Sequence, residues 1–396
     1  MARDRRSRAA AVVLLAATLA GCPAPAPLPD GLYLWQRAWT PAVGVALEGM
    51  RGQVHELRVQ ALAVAGDGRR LAIRVEPAVL AGARVPIFAV IRIEGARLFA
   101  DADPLVTDIV ALAARWRAAG VPLAGIEIDH DCASAAVADY GRWLARLRAE
   151  LAPELALWHT ALPAWLDAPG LDRLLAAVDG SVLQVHNVDP PARGLFDPLR
   201  AWRWVRDWSA RSPRPFRVAL PAYGLRVGYD GRGRLLGAEA EIARTYTGAG
   251  GVELAADPAA VAAFARRLDR ERPARLQGLM WFRLPLAEDA RAWSAATLRA
   301  AMARAAMTPR FEVAVQGGTD IVVRNLARFD AAEPARIVVR AHCDAGDAAD
   351  GYALVRRAGW NGFTRDRTRL LRAGERRRIG WLRCARLDES RILVMP

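Results

Sequence analysis

The chain has 396 residues, of which 53% are hydrophobic and 25% are charged, so it is too long for a mini-protein and too apolar for a disordered chain. Its formal net charge is +14, and all 56 basic residues are arginine. An arginine- and alanine-rich composition is typical of a GC-rich coding sequence, and no basic stretch is interleaved with aromatic residues, so we expect no nucleic-acid partner.

The first 21 residues have the pattern of a bacterial export signal, with arginines before an apolar run over residues 9–20. The segment that ends this run, residues 19–22, is similar to a lipoprotein box. The similarity implies that Cys22 is lipidated and holds the protein on a membrane. Pro23 follows it in place of an aspartate, which by similarity to sorted lipoproteins predicts an outer-membrane lipoprotein that faces the periplasm. A plain secretory signal that happens to contain a cysteine is the alternative.

A short proline-rich stretch follows the cysteine. Proline stands at every second position from 23 to 29, a pattern that packs neither as a helix nor as a central strand. We therefore predict a stiff tether over residues 22–30 and folded structure from residue 31. No later segment reaches the roughly 18 uninterrupted apolar residues of a membrane span, so we expect the chain to be anchored to a membrane and not inserted in it.

Strand-like and helix-like patterns alternate from residue 31 onward. The predicted strands are residues 32–39, 57–65 with a hairpin return at 71–75, 85–93, 124–131, 155–162, 182–187, 216–223 and 278–284. The predicted helices are residues 105–119, 137–151, 171–177, 199–210, 258–270 and 290–305. Eight strands alternating with helices predict a (β/α)₈ TIM barrel, an α/β fold, over residues 31–308. No glycine-rich dinucleotide motif follows a strand, which disfavours an open doubly wound sheet.

After residue 308 the sequence pattern changes and predicts short strands of alternating residues without helices. The predicted strands here are residues 311–315, 320–325, 336–341, 352–356, 368–371, 377–382 and 392–395. They indicate a small β-sandwich domain over residues 309–396, which either binds a glycan or caps the barrel, and we favour capping. In an oxidising compartment Cys343 and Cys384 are candidates for a disulfide, which would leave Cys132 unpaired.

The segment 125–131 carries the most informative pattern. Side chains of a strand alternate between two faces, so Glu127, Asp129 and Asp131 share one face, while two isoleucines and His130 share the other. The isoleucines suit a face packed under helices, so we expect the three carboxylates in the barrel lumen, near its carboxyl-terminal mouth. Burial and mutual repulsion should raise at least one pKa, which is how barrels make a neutral general acid.

Two other interpretations of this strand are open: a solvated acidic strand end and a metal site. A solvated edge would not alternate so regularly with isoleucine. His130 lies on the wrong face for a metal, and no other histidine or aspartate recurs at ligand spacing. We therefore expect no metal and no cofactor.

Residues 124–131 resemble the fourth-strand motif of chitinase-like glycoside hydrolases of family eighteen, in which acids follow a glycine at alternate positions. The resemblance implies that Asp131 protonates the glycosidic oxygen, that Asp129 orients the substrate's own acetamido group as nucleophile, and that Glu127 supports them from below. The sequence departs from the family at the proton donor, because Asp131 stands where those enzymes have a glutamate.

Other strand ends add partial matches. Residues 184–187 stand where the chitinase-like enzymes have Met, any residue, Tyr, Asp, which implies that His186 replaces a tyrosine that holds the acetamido oxygen. Trp281 matches a tryptophan that floors the sugar subsite. Most of residues 31–300 is also similar to a bacterial domain-of-unknown-function family of secreted barrel proteins, which implies a fold and no proven activity. The matching segments are residues 34–39, 126–132, 160–165, 220–224 and 280–285.

A sugar-binding pocket needs aromatic platforms beside carboxylates and amides that fix orientation. Aromatic residues lie at or just beyond four predicted strand ends, and two strand arginines are candidates to compensate the acids. For any single aromatic residue, packing in the core is the competing interpretation. The candidate substrate-binding residues are Trp35, Gln36, Arg92, Trp165, Gln184, His186, Asn187, Tyr223, Trp281 and Arg283.

Two functions are compatible with these patterns. In the first, a membrane-anchored glycoside-hydrolase-like protein acts on an envelope or extracellular glycan, with Asp131, Asp129 and Glu127 as the catalytic acids. In the alternative, the same barrel is a catalytically inactive glycan-binding or structural lipoprotein, which the two departures from the chitinase-like motifs favour. Whether the protein is an enzyme is open at this point.

Overall fold

The computed structural model describes residues 26–95, 103–188, 194–230, 232, 235–239, 252–365 and 368–395. The predicted export signal and Cys22 lie outside these residues. Within them, no helix is long and apolar enough to cross a bilayer. The last residues of the predicted tether lie against the barrel: Leu28 is buried, its N–H donates to Asp269 Oδ1 (2.7 Å), and the first strand begins at Asp30.

A closed barrel of eight parallel strands forms the first part of the molecule, as the sequence predicts. The strands in this part are β1 (Asp30–Leu34), β2 (Glu56–Val64), β3 (Arg70–Ala72), β4 (Ile87–Ile93), β5 (Leu123–His130), β6 (Ala156–Ala161), β7 (Gly180–Gln184), β8 (Phe216–Pro221), β9 (Gly224–Tyr229), β10 (Leu235–Glu239), β11 (Val252–Ala255) and β12 (Leu276–Phe282). The hydrogen-bonded order is β1-β12-β8-β7-β6-β5-β4-β2, and pairing of β1 with β2 closes the ring.

Two antiparallel additions interrupt the repeat. Strand β3 folds back on β2, which is the predicted hairpin. Strands β9, β10 and β11 form a separate three-stranded sheet between β8 and the next helix, in the order β10-β9-β11. The sequence analysis did not predict this sheet.

Helices cover the outside of the barrel. They are α1 (Pro41–Glu48), α2 (Pro77–Gly82), α3 (Pro104–Ala118), α4 (Val137–Glu150), α5 (Leu171–Ala176), α6 (Pro198–Arg211), α7 (Pro258–Glu271) and α8 (Ala295–Met302). The predicted Asp-Pro starts are confirmed for α3 and α7, because Asp103 and Asp257 accept the N–H of Leu105 and Ala259. Helix α8 begins later than residue 290 because Ser294 caps it.

The barrel has an outer and an inner apolar layer. The outer layer packs strands against helices and includes Ile126, Ile128 and the helix residue Trp143. The inner layer fills the lumen. Its members are Tyr33, Phe88, Val90, Trp158, Val182, Ala219 and Met280.

The C-terminal part consists of antiparallel sheets around its own core, as the sequence predicts. Its strands are β13 (Phe311–Gln316), β14 (Asp320–Asn325), β15 (Ala331–Ala332), β16 (Arg336–Val339), β17 (Cys343–Ala348), β18 (Ala353–Arg357), β19 (Trp360–Thr364), β20 (Leu370–Leu371), β21 (Arg376–Cys384) and β22 (Ile392–Met395). Two four-stranded sheets, β13-β14-β21-β17 and β18-β19-β16-β22, enclose a core that includes Ile337, Phe363 and Ile379. Cys343 and Cys384 form a disulfide, and Cys132 is a buried free thiol in the barrel.

Candidate functional site

Strand β5 presents its acids to the lumen. Ile126 and Ile128 point outward into the helix-covered layer, and His130 lies with them, since its Nδ1 is 3.1 Å from the carbonyl oxygen of Ile93. Glu127 and Asp129 therefore point inward, as the alternation predicts. Asp131 follows the last residue of the strand, so it lies at the carboxyl-terminal mouth of the barrel.

Glu127 lies deepest and is fully buried. Its Oε1 accepts hydrogen bonds from the hydroxyls of Tyr33 and Thr160, both at 2.7 Å, and its Oε2 accepts one from Arg58 Nη1 at 2.6 Å. With three donors on two oxygens, this carboxylate is fixed in place. It supports the residues above it and does not reach the mouth.

A charged network continues below Glu127. The Arg58 guanidinium lies over the rings of Phe88 and Trp158, 4.3 and 4.6 Å from the ring centroids, and also pairs with Glu56 at 2.7 Å. Burial would raise the pKa of Glu56, but Arg58 and Arg217 outweigh that effect and hold this pKa below its usual value. The floor of the lumen is thus a neutralised set of ion pairs.

Arg92 on β4 joins the two upper acids. Its Nη1 lies 3.0 Å from Asp129 Oδ2 and its Nη2 lies 2.9 Å from Asp131 Oδ2. Asp129 is buried, whereas the Asp131 side chain is 39% exposed. Burial raises the pKa of Asp129 to about 6; Arg92 opposes this rise, and the charges of Asp131 and Glu127 add to it. Asp129 is therefore about half protonated near pH 6.

These acids open into one cleft of about 250 Å³ at the carboxyl ends of the barrel strands. This volume is below the roughly 300–1,000 Å³ of pockets for drug-sized ligands, so the cleft has room for about one sugar ring. The predicted residues that line it are Trp35, Arg92, Asp129, Asp131, Gln184, His186, Asn187 and Tyr223. The sequence analysis missed the other lining residues, which are Arg37, Gln60, Glu94, Leu225 and Phe282.

His186 and Tyr223 form one wall of the cleft, with the Tyr223 hydroxyl 3.4 Å from His186 Nδ1. Burial lowers the pKa of His186 to about 3, so its ring is neutral at physiological pH. Among the described residues, His186 Nε2 has no hydrogen-bond partner, and the same holds for Gln60 Oε1 and Asp129 Oδ1. All three buried atoms belong to residues of this one cleft.

Trp281 does not floor the cleft, which corrects the prediction for this residue. Its indole is buried in the outer layer, where the indole N–H donates to Asp30 Oδ1 (2.7 Å) and the ring packs on Trp293. Met280 and Phe282, its neighbours on β12, point inward because side chains alternate. Phe282 therefore supplies the aromatic surface that was expected from Trp281.

Three further predicted residues lie away from the cleft. Trp165 is buried in the outer layer, where its indole N–H donates to the carbonyl oxygen of Cys132 (3.0 Å), because the chain turns under the helices after β6. Gln36 is buried and its amide donates to the carbonyl oxygen of Leu284 (2.8 Å). Arg283 is buried and pairs with Asp289 at 2.6 Å.

The sequence carries a signal for the missed residues that lie on strands, and none for those that lie on loops. Phe282 follows from the alternation on β12 once the inward face is known. Gln60 follows Glu56 and Arg58 at alternate positions of β2, so the alternation also places it on the inward face once that face is known. The contribution of Arg37 and Glu94 depends on loops meeting at the mouth, for which the sequence carries no periodic signal.

Comparisons with known proteins agree with this architecture. The family model described as Domain of unknown function (DUF3142) matches residues 83–287, and the one described as Domain of unknown function (DUF8456) matches residues 312–385. A comparison with curated proteins finds no match.

Solved structures with similar folds include two spore cortex-lytic enzymes named SleL. The one from Bacillus cereus is 14% identical with a TM-score of 0.50, over 72% of this chain and 75% of that chain. The one from Bacillus megaterium QM B1551 is 14% identical with a TM-score of 0.49, over 67% and 72%. A chitinase from Chromobacterium violaceum ATCC 12472 is 14% identical with a TM-score of 0.46, over 70% and 98%. At this identity, the similarity to the Bacillus cereus enzyme shows a shared barrel fold.

Proposed function

We propose, from the premise that this chain belongs to the family described as Domain of unknown function (DUF3142), that it binds and acts on a glycan at the mouth of its barrel. One observation carries the proposal: Asp129 Oδ1, Gln60 Oε1 and His186 Nε2 are buried in one cleft and lack partners among the described residues. A buried polar atom without a partner costs free energy, so several in one cleft favour a ligand that supplies hydrogen bonds.

The chemistry of these atoms fits a sugar with an acetamido group. When the Tyr223 hydroxyl donates to His186 Nδ1, the neutral ring carries its proton on Nε2 and donates to a carbonyl oxygen. Asp129 Oδ1 is free to accept an amide N–H. Half-buried Trp35 and Phe282, 5.2 Å apart between ring centroids, offer apolar surface for the CH face of a sugar ring.

Hydrolysis would use the two acids in different roles. In this proposal Asp131, the exposed acid, protonates the glycosidic oxygen, and the bond from the anomeric carbon to that oxygen breaks. Asp129 orients the acetamido group, whose carbonyl oxygen bonds to the anomeric carbon as the leaving group departs. Water then attacks the anomeric carbon, this bond breaks, and the proton of the water returns to Asp131. Glu127 contributes only a fixed charge from below.

A second candidate function is glycan binding without turnover, and the Arg92–Asp131 ion pair favours it. Arg92 Nη2 lies 2.9 Å from Asp131 Oδ2, so this oxygen is engaged by a cation, whereas a general acid has to face the glycosidic oxygen. Turnover in this site therefore requires that ligand binding separates Asp131 from Arg92.

The test uses chitotetraose, an oligosaccharide of N-acetylglucosamine, with calorimetry for binding and a reducing-end assay for hydrolysis. We expect the wild type to bind it and Asp129→Asn to bind at least about tenfold more weakly. Asp172→Asn, an exposed site on α5, is the matched control and should behave as the wild type. An increase in reducing ends with the wild type that is absent with Asp131→Asn supports hydrolysis. Binding without any increase in reducing ends supports the second candidate. No binding by the wild type contradicts both.

We also propose that the protein is an outer-membrane lipoprotein facing the periplasm, held by a lipid on Cys22. The support is the sequence pattern around Cys22 and the short distance, in residues, from Cys22 to the packed Leu28. Expression in a bacterial host with radiolabelled palmitate is expected to label the wild type and not Cys22→Ser. A wild type that is unlabelled and found in the soluble fraction would exclude the anchor.

A further inference from the structure

The segment between β12 and α8, residues 283–294, forms the outer support of the cleft wall. Tyr223 pairs with Ala292 in an isolated antiparallel bridge. The N–H of Gly224 donates to the carbonyl oxygen of Arg291 (2.6 Å), and the N–H of Trp293 donates to that of Ala222 (2.9 Å). Backbone bonds on both sides of Tyr223 therefore fix this wall residue to the segment.

Side-chain bonds of Asp289 hold the segment in its conformation. One carboxylate oxygen of Asp289 accepts the N–H groups of Arg291 and Ala292 at 3.0 and 3.1 Å, and the other pairs with buried Arg283 at 2.6 Å. Arg283 directly follows Phe282, whose ring packs on that of Tyr223 in the same cleft, with the ring centroids 5.2 Å apart. Asp289 thus connects both aromatic wall residues, Tyr223 and Phe282, to one turn.

The C-terminal domain holds this turn through Arg372. Its Nη2 lies 3.2 Å from each of the carbonyl oxygens of Asp289 and Ala290, and its Nη1 pairs with Asp330 at 2.8 Å. Asp330 is fully buried and also accepts the N–H and the hydroxyl of Ser294, at 2.6 and 3.1 Å, where α8 begins. One guanidinium therefore bonds to both domains, and its fork geometry is what makes this possible.

We propose that Arg372 is a positioning residue of the cleft, so that the C-terminal domain braces residues 283–294 and through them the walls formed by Tyr223 and Phe282. In this arrangement the C-terminal domain helps to fix the geometry of the barrel site. An independent binding module would need no buried carboxylate at its junction with the barrel. In such a module, the residue at position 330 could be exposed to solvent.

Hydrogen exchange of the whole chain, followed by mass spectrometry, tests the brace without any ligand. In Arg372→Gln we expect the amides of Gly224, Ala292 and Trp293 to exchange about tenfold faster than in the wild type, because the turn loses two bonds to a charged donor. Arg372→Lys keeps the charge but not the fork and should give most of the same increase. Arg376→Gln removes an exposed arginine of the same domain and should leave these amides unchanged.

Two regions serve as internal references for the exchange experiment. Amides of β5 and of β14 should keep wild-type protection in Arg372→Gln, which shows that both domains stay folded. Unchanged exchange at Gly224, Ala292 and Trp293 would overturn the proposal, and so would an equal increase throughout the chain, since that is a general loss of stability. If Arg372→Gln does not fold, Asp330→Asn replaces it and should accelerate the same three amides.

The effect of the brace on ligand affinity rests on the proposed glycan function. We expect Arg372→Gln to raise the dissociation constant for chitotetraose about tenfold, and Arg376→Gln to leave it unchanged. Equal affinity of wild type and Arg372→Gln, together with faster exchange in the wall, would contradict the positioning role. A wild type that does not bind chitotetraose would contradict the glycan function instead, and the exchange result would still decide whether the brace exists.

Discussion

Asp129 on β5 and Asp131 just beyond its end have different environments, because Asp129 lies inside the barrel and Asp131 at its rim. Asp129 is buried beneath Arg92 with one oxygen unpaired, while Asp131 reaches solvent and shares the same guanidinium. The alternation of residue types predicts that both face inward. It does not predict which of them is desolvated, because burial depends on how far the mouth of the barrel extends past residue 130.

Replacing Asp129 by asparagine should change how stability depends on pH. The pKa of Asp129 is about 6 in the folded protein against 3.8 for the free side chain, so folding favours its protonated form. Its contribution to the free energy of unfolding is complete below about pH 4 and is lost as the pH rises through 6. Relative to Asp129→Asn, the wild type should lose about 1–3 kcal/mol between pH 4 and 7.

Urea denaturation of both proteins at pH 4, 5, 6 and 7 measures this difference. Titrating groups remote from Asp129 are common to the two proteins and cancel in the comparison. A wild type that gains stability over Asp129→Asn as the pH rises would mean that Arg92 outweighs burial, and that Asp129 is ionised throughout.

At the level of the element, β5 packs closely against β6 and the inner layer at Gly125, two residues before the first of its acids. A Cβ at Gly125 would contact the carbonyl oxygen of Ala156 on β6 and lie 2.6 Å from the ring of Phe88 in the lumen. The sequence analysis used Gly125 as part of a motif. The structure adds the physical reason: a side chain here would push β5 away from β6 or displace an aromatic ring of the inner layer.

We expect Gly125→Ala to lower the free energy of unfolding by at least about 2 kcal/mol, because backbone of the neighbouring strand cannot move aside as a flexible side chain can. Gly82→Ala is the matched control, since a Cβ there meets nothing within 4 Å at the end of α2. That variant should be neutral or more stable by less than about 1 kcal/mol. Denaturant midpoints of the three proteins provide the comparison, and equal midpoints would refute the close-approach explanation.

At the scale of the whole molecule, the two domains depend on different sources of stability. Both domains contain buried ion pairs, in the C-terminal domain at Glu333. The barrel adds two apolar layers, whereas the C-terminal domain adds a small core and one disulfide, Cys343–Cys384, across β17 and β21. The junction at Asp330 and Arg372 couples the two domains, so we expect partial unfolding of the C-terminal domain to weaken the support of the cleft wall as well.

Reduction of the disulfide should destabilise the C-terminal domain by about 3–4 kcal/mol, because the bond closes a loop of 41 residues in the unfolded chain. Thermal unfolding with and without reductant measures the effect. The double variant Cys343→Ala/Cys384→Ala should unfold at the temperature of the reduced wild type and should not respond to reductant. A reductant effect that persists in this variant would point to Cys132 and not to the disulfide.

Strand β5 and strand β12 show what the sequence by itself determined. In β5, polar and apolar residues alternate, so the inward face and the acid row follow from local period alone, while the barrel class follows from the alternation of strands with helices along the chain. The Asp-Pro helix starts are equally local. In β12, residues 279–282 are all apolar, both faces are buried, and a strand of this kind carries no sign of which face is which. This is why Trp281 was placed in the cleft and Phe282 was overlooked.

Only the tertiary structure decided which side chains from different strands meet. Arg92 reaches both aspartates because β4 pairs with β5 in a register that sets Arg92 beside Asp129. Gln60 joins them because β2 lies on the far side of β4, and Trp165 does not because the chain turns outward after β6. Arg372 contacts the carbonyl oxygens of Asp289 and Ala290, more than eighty residues earlier in the chain. Such contacts depend on register and on the closure of the ring, which residues near one another in sequence cannot encode.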